Sequence, residues 1–295
     1  MELKKIEREE YDRLAAAEPD AGFFQSSRYG EYIADKNSHL LFVAGYDHQL
    51  ICALAMFIVR KDSLFARGYS AYSPCGFLMN FYDEDVLREF HHELKKFLSS
   101  HKINKIILEP QVRADFSRIG KELVSLGYKQ SESMKQYEIS LKNYQSDDDF
   151  DGLSIEFIEE DGIPEEISER PGVHRYLDLQ RNFPEVKTIS AYLDIENSRQ
   201  KISDTGKSQQ YLHFLDSQEE NRIPLSCIAF IDYEKRCDLL FAEELNNDSP
   251  IDGKKLILDH LCKKLIEKMY KKFYSLQCSG KLDENEMIGR FTCSI

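Results

Sequence analysis

Between residues 67 and 109 the apolar positions change period twice, and the change predicts strand, helix, strand. The first strand carries Tyr69 and Tyr72 and ends near Ser73-Pro74-Cys75-Gly76. Val86, Leu87, Phe90, Leu94, Phe97 and Leu98 then recur at helical spacing and form a buried stripe. Asp83 or Asp85 can cap that helix, because a short acidic side chain accepts bonds from the open backbone N–H groups at a helix start. An apolar run over 105–108 forms the second strand and delivers Glu109 to its C-terminal end. Pro110 stops the ladder, having no N–H to give. Ligands of α/β proteins gather at the C-terminal ends of sheet strands, so Glu109 is the first candidate for chemistry; the bland alternative is a solvated strand end.

The rest of the chain is arranged around this stretch. A helix is expected over 7–17, and a second one through Tyr29 and Tyr32 with Ser26 or Ser27 as its cap. Apolar runs over 40–46 and 50–60 read as two strands joined at Asp47-His48-Gln49. A helix over 118–126 closes at Gly127, and a strand over 135–141 follows. The acidic run QSDDDFDG, inside 143–152, cannot bury enough apolar surface to pack and reads as a linker. Beyond it the pattern predicts a strand over 153–158, helices over 174–183 and 187–201, and strands over 210–216, 223–233 and 237–242. An amphipathic helix over 252–271 and a last strand over 273–278 complete it. The second half thus repeats the element order of the first. That order is the one used by GNAT-type acyltransferase folds, so the expected class is α/β with two GNAT-like domains in tandem, at 1–145 and 146–295. The C-terminal tail, 281–295, is free to return to the first domain.

Charge and cysteine content narrow the function. The net charge of -13 argues against DNA or any broad polyanion surface, since phosphate contacts come from Lys and Arg. The seven cysteines form no CxxC and no Cys/His cluster, which suits buried thiols in a reducing compartment. The first residues lack an apolar core of signal-peptide length, and no run is long enough to span a bilayer. The expected location is the cytoplasm, with the inner membrane face as a peripheral contact. His91 and His92 have no ligand partner at metal spacing and read as solvated helix-face residues.

Three short motifs carry a resemblance. Phe24-Gln25-Ser26-Ser27 with Tyr29, Tyr72-Ser73-Pro74-Cys75-Gly76, and Leu108-Glu109-Pro110-Gln111-Val112 resemble, in order and spacing, the motifs of the Fem family of peptidoglycan bridge-forming aminoacyltransferases. The resemblance implies an enzyme that takes an amino acid from aminoacyl-tRNA. The acceptor it implies is an amino group on the stem peptide of a lipid- or nucleotide-linked peptidoglycan precursor, with no metal and no acetyl-CoA as cofactor. It assigns Glu109 as catalytic and Tyr29, Tyr72, Ser73, Lys187, Tyr192 and Arg290 as substrate-binding. Lys187 with Tyr192 is the nearest match to an Arg–Tyr pair associated with the precursor's diphosphate. Arg290-Phe291 stands where the family has a Phe-Lys pair. The acidic linker and Leu239-Leu240-Phe241 also depart from the family, which has a basic connecting helix and a Tyr-rich strand there.

The residues by themselves allow the same chemistry. Acyl transfer to an amine needs the amine deprotonated, the carbonyl polarised and both reactants aligned. Glu109 suits the first task, and Lys187 and Arg290 suit anionic groups, although each cation reads equally as a solvated surface charge. The expected cleft is lined by Tyr72, Ser73 and Glu109, with Lys187 and Tyr192 approaching from the second half. Two alternatives stay open: an N-acyltransferase using an acyl thioester on a small molecule or cell-surface sugar, and a non-catalytic binding module. A Gly-rich phosphate-binding turn would favour the thioester, but the turns at 80–85 and 246–252 are acidic.

Overall fold

Where apolar residues run without a break the chain forms central strands, and where they recur every third or fourth position it forms the helices that cover them. The computed structural model describes residues 1–18, 21–61, 68–113, 116–142, 144–145, 150–160, 162–169, 173–234, 236–270, 272–275 and 286–295. The chain divides into two units, Met1–Tyr137 with Asp283–Ile295, and Glu138–Leu282.

The first unit begins with β1 (Glu2–Ile6), α1 (Arg8–Ala15), a 3-10 turn at Phe23–Gln25, and α2 (Ser27–Ile33). The hairpin β2 (Ser38–Asp47) and β3 (Leu50–Lys61) follows, then β4 (Tyr69–Ser73), β5 (Leu78–Met79), α3 (Glu84–Ser100) and β6 (Ile103–Leu108). β7 (Gln111–Arg113), α4 (Phe116–Ser125) and β8 (Lys129–Ser140) come next. The strand order is β1-β2-β3-β4-β6-β14-β8, in which β14 (Glu286–Ser294) belongs to the last residues of the sequence. β4 and β6 are parallel, joined through α3, with Ser73 opposite Leu108. The other neighbours along this order are antiparallel.

β2 and β3 bury both faces, which explains their unbroken apolar runs. Leu41, Val43, Ala55 and Phe57 pack under α3 with Leu87, Phe90, Leu94 and Leu98. Phe42, Ala44, Leu54 and Met56 pack on the opposite side with Tyr11 of α1. Asp83 caps α3 by accepting from the Val86 N–H at 3.1 Å, and Ser26 caps α2 by accepting from the Tyr29 N–H.

The second unit contains β9 (Ile155–Glu160), α5 (Glu165–Ser168), α6 (His174–Asn182), β10 (Val186–Asp194), α7 (Ile195–Thr205) and α8 (Leu212–Asp216). β11 (Arg222–Tyr233), β12 (Arg236–Glu244), α9 (Gly253–Glu267) and β13 (Lys272–Ser275) complete it. Its order is β13-β12-β11-β10-β9, with only the β12–β13 pair parallel among these. From β9 to β13 the unit therefore repeats the sequence and pairing sense of β1 to β6, with α7 and α8 inserted between β10 and β11.

Several expectations change. The helix expected over 187–201 is two elements: β10 ends at Asp194, whose carboxylate caps α7 through the Asn197 N–H at 2.9 Å. The apolar residues of this stretch satisfy helical spacing by accident, and Asp194 in its middle is the start signal that divides it. The strand expected over 210–216 is helical, since Gln209–Tyr211 forms a 3-10 turn and α8 follows. β1 and β14 were not expected. Of the expected linker, residues 143 and 146–149 lie outside the described residues, as do Pro171 and Gly172 of the expected loop and part of the 273–278 strand.

His91 is the clearest reversal among side chains. It is 4% exposed rather than solvated, and its Nδ1 lies 3.3 Å from the Tyr128 hydroxyl. Burial, reinforced by nearby Lys95, lowers its pKa to about 4. The unfolded chain takes up a proton on this histidine near pH 6.5 and the folded one only near 4, so its contribution to stability is lost as pH falls through that window. Wild type is expected to lose about 2.5 kcal/mol more than His91→Gln between pH 7 and pH 4.5. Urea unfolding of both proteins at the two pH values measures this, and parallel losses would show that His91 is not held neutral.

Candidate active site

Alternation along a strand decides which side chains meet. Tyr72 is opposite Ile107 in the parallel β4–β6 pair, so Glu109, two residues further on, belongs to the same face as Tyr72. The Tyr72 hydroxyl donates to Glu109 Oε2 at 2.6 Å. Burial, and after it the Glu109 charge, push the Tyr72 pKa far above that of an ordinary phenol. Tyr72 is therefore a neutral donor at every pH the folded protein meets, and Glu109 is held by it in one orientation.

Ser73 faces the other way. It shares the face of Ala71, is fully buried, and its hydroxyl donates to the Gly76 carbonyl at 3.1 Å. It does not line a cleft beside Tyr72 as expected. Its backbone does the positioning: the Ser73 carbonyl accepts from both the Gly76 and the Glu109 N–H groups, at 3.4 Å each. Gly76 has φ +79, and a Cβ there would stand 2.7 Å from the Pro110 Cα. The turn after β4 and the Glu109-Pro110 end of β6 are thus in direct backbone contact, and only glycine allows it.

The first motif meets the second on the Tyr72 face. Gln25 is buried, and its Nε2 donates to the Cys75 carbonyl at 2.9 Å. Tyr29 is half-buried on α2, edge-on to Phe24 with ring centroids 5.0 Å apart, and acts electrostatically on the Tyr72 hydroxyl. Gln25 was quoted in the motif but not singled out as functional. Its signal was a polar amide between Phe24 and the capping Ser26, where burial forces it to find partners.

Arg290 lies on β14 at the register position of this edge. Phe291 pairs with Leu108 and Ile288 with Gln111, so Gly289-Arg290 runs alongside Glu109-Pro110.

Lys187 and Tyr192 are not brought together. They are five residues apart on β10 and face opposite sides of that sheet. Lys187 Nζ is 3.7 Å from Asp232. Burial raises the Asp232 pKa, but bonds from Lys268 and Tyr270 outweigh it and hold the carboxyl below its usual range. Tyr192 donates to Glu160 at 2.8 Å and lies under the Arg222 guanidinium, 4.1 Å from the ring centroid. Burial, with Glu160, pushes its pKa up to about 12. Among the described residues no group of three or more His, Cys, Asp or Glu could hold a metal ion, and no helix is long and apolar enough to cross a membrane.

Gly76→Ala is expected to cost about 2 kcal/mol or more, combining a left-handed backbone with contact against Pro110. Gly127→Ala is the control: its φ is +94, but the nearest atom to a new Cβ is 3.8 Å away. Denaturant midpoints should fall further for Gly76→Ala, and equal falls would remove the close approach to Pro110 as a constraint.

Comparison with known proteins follows the same division. Residues 6–146, which contain Gln25, Tyr29, Tyr72 and Glu109, match the FemAB family profile. Among solved structures, FemX superposes with a TM-score of 0.64 at 11% identity, over 100% of this chain and 98% of that one. A tandem GNAT protein from the clavulanic acid biosynthesis pathway superposes with a TM-score of 0.50 at 9% identity, over 99% and 98%. No curated protein matches. At these identities the structural likeness is one of fold, and it identifies two GNAT-like domains in tandem. The likeness to the FemAB family rests on residues 6–146, just under half of the chain.

Proposed function

We propose that the protein is an aminoacyltransferase that moves an amino acid from aminoacyl-tRNA to an amino group on the stem peptide of a peptidoglycan precursor, lipid- or nucleotide-linked. The observation that carries the reading is the Tyr72–Glu109 pair, built from two of the three family motifs inside the matched region. In this reading Glu109 aligns the acceptor amine and takes its proton as the new C–N bond forms. The ester C–O bond breaks, and the ribose hydroxyl of the tRNA leaves with a proton. Tyr72 keeps its own proton throughout and fixes the carboxylate. Tyr29 forms part of the wall beside it, and Arg290 meets anionic groups of the substrates at the Glu109 edge. Lys187 and Tyr192 face opposite sides of their sheet and do not act together as one contact. The reaction belongs to the cytoplasm, where charged tRNA is available, with the inner membrane face as the place where a lipid-linked acceptor is met.

The thioester alternative is weakened by the state of the helix starts. The N–H groups that could bind a pyrophosphate already serve carboxylates: Val86 to Asp83 on α3, and Lys254 to Glu244 and Lys255 to Asp252 on α9. A further anion there meets like charge.

Two measurements test the reading. Purified protein mixed with aminoacyl-tRNA and a precursor nucleotide is expected to transfer the aminoacyl group, and Glu109→Gln to lower kcat/KM by about a hundredfold or more. Unchanged transfer in the variant would remove Glu109 from the chemistry. Calorimetry with acetyl-CoA is expected to give no binding below about 1 mM, a Kd that corresponds to only about 4 kcal/mol; micromolar affinity would favour the thioester enzyme instead.

A further inference from the structure

The geometry points to Gln25 as a positioning residue, one that sets the Tyr72–Glu109 pair by clamping the turn after β4; its catalytic consequence rests on the aminoacyl-transfer reading. The side-chain amide is used at both ends. Oε1 accepts from the Gly22 N–H at 3.0 Å and fixes the short turn on which Gln25 sits. Nε2 donates to the Cys75 carbonyl at 2.9 Å. The Gln25 carbonyl in turn accepts from the hydroxyl of Tyr11, which is 1% exposed. The clamp is therefore anchored in the core of the first unit.

What it grips is a strained segment. Cys75 has φ +53, a left-handed conformation that costs a non-glycine residue free energy and persists only where its surroundings enforce it. Gly76, next along, lies against Pro110. Before the turn, the Ser73 carbonyl accepts from the Glu109 N–H, and the Tyr72 hydroxyl donates to the Glu109 carboxylate. Displacement of the Cys75 carbonyl therefore moves both strand ends that hold the pair. Without the Nε2 donor the clamp on the Cys75 carbonyl is lost, and the turn is expected to relax toward a right-handed backbone.

Gln25→Glu keeps size and the Gly22 contact but turns an acceptor toward the Cys75 carbonyl. Gln25→Met, of similar length and uncharged, serves if the Glu variant does not fold. Two readings are made on the bare protein. Alkylation of Cys75 by iodoacetamide, followed by mass spectrometry against Cys52 on β3 as internal reference, is expected to rise at least threefold in the variant. The 13Cζ resonance of Tyr72, assigned by its loss in Tyr72→Phe, is expected to shift as the bond to Glu109 weakens. In the transfer assay, kcat is expected to fall at least tenfold with KM for the acceptor within twofold. An unchanged Cys75 rate overturns the clamp. A faster Cys75 with an unmoved Tyr72 resonance, or with unchanged kcat, overturns the positioning role and leaves a packing contact. Wild-type protein without transfer activity sinks the aminoacyl-transfer reading alone, since the alkylation and resonance measurements still decide whether Gln25 sets the pair.

Discussion

The parallel pairing of β4 with β6 is the constraint on which the candidate site depends. Two parallel neighbours need a crossover, and α3 supplies it with Asp83 at its start and a buried stripe of Leu87, Phe90, Leu94 and Leu98. Once β6 lies beside β4 with Ser73 opposite Leu108, both strands end at the same edge. Tyr72 and Glu109 then share a face by parity, and a tyrosine is long enough to span the diagonal between them. A slip of one residue in this register would turn Glu109 to the α3 side, under apolar packing, and leave Tyr72 without its carboxylate.

Backbone contacts hold the strand ends more firmly than side chains could. Gly76 against Pro110, with the Glu109 and Gly76 N–H groups on one Ser73 carbonyl, joins the turn after β4 to the end of β6. Pro110 ends the β6 ladder, and β7 resumes pairing with β14 immediately after it. The carboxylate thus stands at a break between two short strands, where the backbone of β14 passes alongside. The last residues of the sequence complete the sheet of the first unit, although the whole second unit intervenes between them and β8.

Much of this was legible in the sequence, and the parts that were not have separate physical causes. The strand–helix–strand stretch, the Asp83 cap, the hairpin at His48-Gln49 and the Tyr72–Glu109 proximity follow from period, caps and strand ends. One error comes from treating neighbours in sequence as neighbours in space. Tyr72 and Ser73 were assigned to one cleft, yet adjacent strand residues point apart, and Ser73 is buried under α3 with Ala71. Lys187 and Tyr192 are paired by the family resemblance alone, and on strand β10 their odd spacing puts them on opposite faces. The lack of a metal-ligand partner makes His91 read as a solvated helix-face residue, but its place one residue after Phe90 turns it toward Tyr128. A return of the tail 281–295 to the first domain is among the expectations, but not that it forms a strand, because nothing in a local pattern announces pairing across 140 or so residues of intervening chain.

The chemistry of Tyr72 limits the roles open to Glu109. A phenol whose ionisation is pushed up by burial and by the adjacent carboxylate cannot serve as a base. Its hydrogen bond fixes the Glu109 carboxylate in one orientation. A carboxylate so oriented is a good partner for an ammonium, which it attracts and orients before any bond is made. Proton removal from an amine becomes easy only as the amine nitrogen begins to bond to a carbonyl carbon, because its acidity rises steeply at that stage. In the proposed reaction the Tyr72–Glu109 pair would therefore orient the amine and take its proton as the new bond forms.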